Sequence, residues 1–134
     1  MIVVDTNIIA HFWLPSDQTQ LCEQLFEWDP FWVAPILWRS EFRNVVTLYM
    51  RKNLIDIVEA IQITEKAENH MKDREYSVNS IQIYNLAHKS KCSSYDCEFV
   101  SLAQELDIKL ITLDKQILRL FPERSISPHD VIKQ

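Results

Sequence analysis

Four acidic residues stand at points in the chain where a charge is costly. Asp5 directly follows Ile2-Val3-Val4, and Asp114 follows Leu110-Ile111-Thr112-Leu113. Glu41 lies in WRSEFRN, on a helical stripe with Leu37, Asn44, Val45 and Leu48 that reads as core-facing. Asp96 lies in SSYDCEF, in the first turn of a helix capped by Ser93 or Ser94, where the helix dipole favours an ionised carboxylate. Acids are rarely buried without a partner. Four carboxylates brought together with no base among them repel one another and hold their protons to higher pH. A divalent cation removes that conflict. Mg²⁺ or Mn²⁺ takes oxygen ligands and keeps several waters, so two or three carboxylates per ion suffice. Such an ion lowers the pKa of a bound water and stabilises charge on a phosphate. Thr6, Asn7 and Thr112 are close enough in sequence to orient ligands or waters around it.

Each acid also has a plainer reading. Asp5 and Asp114 can be helix caps, and Asp96 a first-turn acid. Glu41 can pair with Arg39 or Arg43, although both sit two positions away on another face of the helix. The plain account needs four coincidences at one edge of the fold, which favours the shared site.

The elements that must position these acids are legible. Strands are expected at Ile2 to Val4, Phe31 to Ala34, Tyr76 to Val78 and Lys109 to Thr112, with an edge strand at Ser125 to Ser127. Between them run helices: Thr6 to about Leu14, one capped by Ser16 or Asp17 and running to Trp28, Ile36 to Arg51, and Leu54 to about Lys72. The last of these carries an apolar stripe of Leu54, Ile57, Val58, Ile61 and Met71. Further helices follow Asn79, Ser93 or Ser94, Asp114 and Pro128. Short strands alternating with helices imply an α/β fold with a parallel sheet covered on both faces. In such sheets, sites form beyond the carboxyl ends of the strands, where all four acids fall.

Composition narrows the function classes. A chain of 134 residues with 47% hydrophobic and 25% charged residues reads as one globular domain, 1–134. A net charge of −5 argues against a broad, non-specific nucleic-acid binder, but not against an enzyme whose cation meets the phosphate. The absence of Gly excludes every glycine-rich phosphate loop. Cys22, Cys92 and Cys97 read as reduced, partly buried thiols. With no basic leader and no run of about 20 apolar residues, a cytoplasmic protein outside any membrane is expected. Glu65 to Glu75 reads as a solvated face, and no His is placed to activate Cys97 as a nucleophile.

In order, VVDTNI, SEFRNV, SSYDCEFVSLAQEL and KLITLDKQIL resemble the motifs of the PIN-domain ribonucleases, most closely the VapC-type toxins of type II toxin–antitoxin pairs. The resemblance runs from Met1 to about Ser127. It implies a PIN-like three-layer sandwich with a short parallel sheet of about four to five strands. It makes Asp5, Glu41, Asp96 and Asp114 the catalytic and metal-holding quartet for Mg²⁺ or Mn²⁺. It further implies cleavage of single-stranded or loop RNA by metal-activated water, a homodimer, and a cognate antitoxin. The chain departs from the family in two places. Asp107 stands where relatives place Gly after the YD helix. Lys115 and Gln116 follow the last Asp where many relatives have an acid or Asn, so the metal site stops at Asp114 and Lys115 is assigned to RNA phosphate. Two other readings fit parts of the pattern. A phosphatase of the haloacid dehalogenase type needs a second Asp two residues after the first, where this chain has Asn7. A catalytically silent PIN-like interaction module has no need to keep all four acids.

Overall fold

The apolar runs become five strands of one sheet in a computed structural model that describes residues 1–134: β1 (Ile2–Val4), β2 (Trp32–Pro35), β3 (Glu75–Tyr76), β4 (Leu110–Ile111) and β5 (Ser125–Ile126). Their order is β3-β2-β1-β4-β5, and every pairing is parallel. All three residues of β1 and all four of β2 are buried, as befits strands covered on both faces. The helices are α1 (Thr6–Trp13), α2 (Thr19–Trp28), α3 (Trp38–Arg51), α4 (Ile57–Met71), α5 (Ser80–Ser90), α6 (Ser94–Leu106), α7 (Lys115–Leu120) and α8 (Pro128–Ile132). Helix α6 packs on β1, β2 and β4, while α1 packs against α2, α3 and α4. A single cluster of 31 buried residues forms the core, with Trp32, Trp38, Phe42 and Phe99 among its largest members. No helix is long and apolar enough to cross a membrane.

Side-chain caps set where the helices begin. Asn79 accepts from the backbone N–H of Ile81 and Gln82, and Ser93 from Asp96. Asp56 and Glu59 form a reciprocal capping box, so α4 begins three residues later than the apolar pattern indicates. Helix α2 starts at Thr19, because Ser16 and Asp17 lie in the turn before it.

Two stripes read as core-facing are not. Of the stripe expected on α4, Leu54 lies in the turn before the helix and is, like Ile57, Val58 and Ile61, more than half exposed; Met71 is buried, on a face it shares with Ala60 and Ala67. On α3 the buried residues are Trp38, Phe42 and Val46. The stripe with Glu41 lies beside them and faces a cleft, with Leu48 exposed at its end. The Glu65–Glu75 stretch is also more than a solvated face. Arg39 bridges Glu68 at 3.1 Å and Glu75 at 2.6 Å, and so is engaged away from Glu41.

Without glycine, four left-handed backbone positions fall to other residues: Asn53, Asp73, Lys91 and Asp107. A Cβ is unfavourable there by about 1 kcal/mol. Lys91, with φ 64° and ψ 12°, closes α5 and its backbone N–H donates to Ala87. Lys91→Gly is expected to raise the melting temperature by about 3 °C, read by calorimetry. An unchanged or lower value would show that Lys91 is held there by contacts worth more than the strain.

Candidate active site

The register of the central strands builds the site. Val4 pairs with Ile111, which brings Asp5 level with Thr112 just beyond the strand ends. The backbone N–H of Asp5 donates to the Ile111 carbonyl at 3.0 Å, fixing the residue to β4. The Asp5 carboxylate, 7% exposed, accepts from the Thr6 backbone N–H at 2.7 Å through Oδ1 and from the Thr112 hydroxyl at 2.7 Å through Oδ2. Asp5 therefore caps α1 and faces the site at once. Asn7 Nδ2 lies 3.4 Å from both Asp5 Oδ2 and Thr112 Oγ1, and Asn7 Oδ1 accepts from the Leu113 N–H. Asn7 thus ties the first turn of α1 to the segment after β4 and supplies no second acid, which removes the basis of the phosphatase reading.

The other three acids come from helix first turns or caps. Glu41 accepts the Thr6 hydroxyl proton at 2.7 Å. Asp96 occupies the first turn of α6, and Asp114 caps α7 by accepting from Gln116 and Ile117. All four line one cleft of about 710 Å³, together with Thr6 and Asn7. The rest of the lining is Leu37, Ser40, Asn44, Val45 and Tyr95. Thr112 is fully buried beneath it. Lys115 is exposed beside Asp114 and outside the lining. Cys97 is buried, and burial pushes its thiol above the ordinary range, which fits packing better than nucleophilic attack.

Electrostatics separate this cleft from a set of caps. No Lys, Arg or His lines it, and none of the four acids is in an ion pair. Burial pushes Asp5 up to about 7; Glu41 and Asp96 add to this, while the bonds from Thr112 and Thr6 oppose it. Glu41 is raised by burial and by Asp96, against the Thr6 hydroxyl. Asp96 is raised by burial and by Asp114, against Ser93. Glu98, which the sequence reading passed over, is raised by burial and then by Glu41. Its signal was an acid set between the buried residues Cys97 and Phe99.

A hard divalent cation fits these residues. The donors are carboxylate, hydroxyl and amide oxygens, and the uncompensated negative charge has no other partner. The donor types suit such an ion, but no three of these side chains stand close enough together, as placed, to hold one. Thr112 carries much of the preorganisation, since its hydroxyl donates to Asp5 and accepts from the Asp114 N–H at 3.0 Å. Thr112→Val keeps the shape and deletes that link. It is expected to cost about 1–3 kcal/mol of stability in thermal melts and to move the acid limb of activity to higher pH. Unchanged melts and pH profile would refute this role.

Comparison with known proteins gives a family, a relative and a shared fold. The family model of the PIN domain matches residues 2–121. The ribonuclease VapC3 of Pyrobaculum aerophilum is 27% identical over 124 residues, covering 90% of this chain and 95% of that protein. The crystal structure of PAE2754 from Pyrobaculum aerophilum shares the fold, with a TM-score of 0.77 at 14% identity over 98% of this chain and 93% of that one. The family match runs through all four acids of the cleft, and the chain belongs to the PIN domain family.

Proposed function

We propose that this chain is a Mg²⁺- or Mn²⁺-dependent endoribonuclease, the toxin of a type II toxin–antitoxin pair, working as one nuclease domain over residues 1–134. One observation carries the reading: four carboxylates line a single cleft that holds no basic side chain. Asp5, Glu41, Asp96 and Asp114 would hold the cation. When bound, it would lower the pKa of an attacking water and offset charge on the phosphate. Thr6 orients two of the acids, donating its N–H to Asp5 and its hydroxyl to Glu41. Thr112 keeps Asp5 and the start of α7 in one arrangement. The likeness to ribonuclease VapC3 supports RNA as substrate and a cognate antitoxin as partner. A homodimer and a cytoplasmic location belong to the same reading.

The test is incubation of the purified chain with single-stranded and hairpin RNA in Mn²⁺, in Mg²⁺ and in EDTA. Metal-dependent internal cleavage leaving no 2′,3′-cyclic phosphate is expected, because water rather than the neighbouring 2′-hydroxyl attacks. Cleavage undiminished in EDTA would refute the metal role. No cleavage under any condition would favour the silent interaction module.

A further inference from the structure

The cleft poses a binding problem that its acids do not solve. Nucleic-acid proteins ordinarily gain affinity from Lys and Arg on phosphates. Here no basic side chain lines the cleft, and the apolar part of its lining is confined to Leu37, Val45 and Tyr95. Leu37 and Val45 are partly buried against the core. Tyr95 is different. It stands in the first turn of α6, next to Asp96, and is 60% exposed. Its ring packs on no other aromatic ring, and its hydroxyl has no hydrogen-bond partner within the chain. Trp38, Phe42 and Phe99 of α3 and α6 are fully buried, and Tyr84 of α5, though exposed, lies outside the lining, so Tyr95 is the one aromatic the cleft presents. A large ring left mostly in water at the rim of a polar cleft contributes little to this fold.

We propose that Tyr95 is a stacking platform for an unpaired nucleobase beside the scissile phosphate. The inference rests on the ribonuclease reading and extends it to substrate recognition. An aromatic face stacks on any base, so it supplies affinity where an acidic cleft cannot. It also requires the base to be free of a duplex stack, which selects loops and single strands over paired RNA. Ser40 and Asn44, polar residues of the same lining, offer hydrogen bonds to the edge or ribose of the stacked nucleotide. Because Tyr95 and Asp96 are adjacent in the chain, the stacked base would set which phosphate reaches the acids.

The test is steady-state cleavage of a single-stranded RNA in Mn²⁺ by the full chain, Tyr95→Phe and Tyr95→Leu. The RNA is used intact and with an abasic residue at each position near the cut in turn. Tyr95→Leu is expected to lower kcat/KM about tenfold, mainly through KM, with the melting temperature unchanged and with Tyr95→Phe near the wild type. At one position the abasic residue is expected to cost the wild type about tenfold and to cost Tyr95→Leu nothing further. If wild type cleaves and Tyr95→Leu equals it, or if the two losses add, the stacking role is overturned while the ribonuclease reading stands. If the wild type cleaves no RNA, both fall. If Tyr95→Leu keeps full RNA activity yet loses a protein partner, the ring serves that partner instead.

Discussion

Asp5→Asn is expected to abolish RNA cleavage and, in the absence of metal at pH 8, to raise the melting temperature. The two effects have one origin. In the fold, Asp5 takes up its proton at about pH 7, against an ordinary value of 3.8, chiefly because it is buried. Between those values the folded chain holds a proton that the unfolded chain has released. Stability therefore falls as pH rises from about 4 to about 7, and above 7 the full cost is present. The linkage alone amounts to about 4 kcal/mol. Asn carries no charge, and its carbonyl can still accept from the Thr6 N–H, while its amide can donate to Thr112. The charged bonds it gives up offset part of the gain, which leaves about 2 kcal/mol. For a chain of this length that is a melting temperature higher by about 6 °C. The loss of a carboxylate from the charge-balancing set is expected to cost cleavage at least about 10³-fold. Calorimetry and a gel assay on one preparation check both. A variant that lost activity and stability together would show Asp5 to be a structural cap.

The second large effect is the response to divalent metal. Mn²⁺ at a hundred times its dissociation constant is expected to stabilise the wild type at pH 8 by about 2.7 kcal/mol, and EDTA to reverse it. Protons and cations compete for Asp5, Glu41 and Asp96, all of which hold protons above their ordinary range. Both the stabilisation and the activity should therefore fade as pH drops below about 7. His11 and His70 act oppositely in the metal-free chain. Burial lowers both below 6.5, so each destabilises the fold as pH falls through that value. The difference between wild type and Asp5→Asn cancels the histidine contribution and isolates the carboxylate. Equal metal shifts in the two proteins would place the cation elsewhere.

Local signals carried most of the architecture. Ile2 to Val4 and the run before Asp114 could only be buried strands, and Asn79, Ser93 and Asp114 cap the helices their types announce. The four acids were legible because each sat among apolar residues at an element boundary. What a stripe cannot tell is which neighbour it meets. Glu41 and Leu37 share a face of α3, but that face borders a cleft, and Trp38, one position on, takes the core. The α4 stripe has helical spacing, yet Ile57 and Ile61 only border a groove against Val46 and Met50 of α3, and with Val58 they stay more than half exposed. The ion pairs of Arg39 with Glu68 and Glu75, and the repulsion of Glu98 by Glu41, act between distant segments, which spacing along one helix does not reveal.

The sheet that carries the acids ends on both sides in strands of two residues, Glu75–Tyr76 and Ser125–Ile126. An edge that short presents too few unpaired backbone groups to template another strand, so the sheet is protected against growing into a neighbouring chain. It is closed equally to partners that bind by donating a strand. Helices and loops, rather than strand edges, are then the surface open to a protein partner. The exposed side chains of Leu54, Ile57, Val58 and Ile61 offer it more apolar surface than either edge of the sheet.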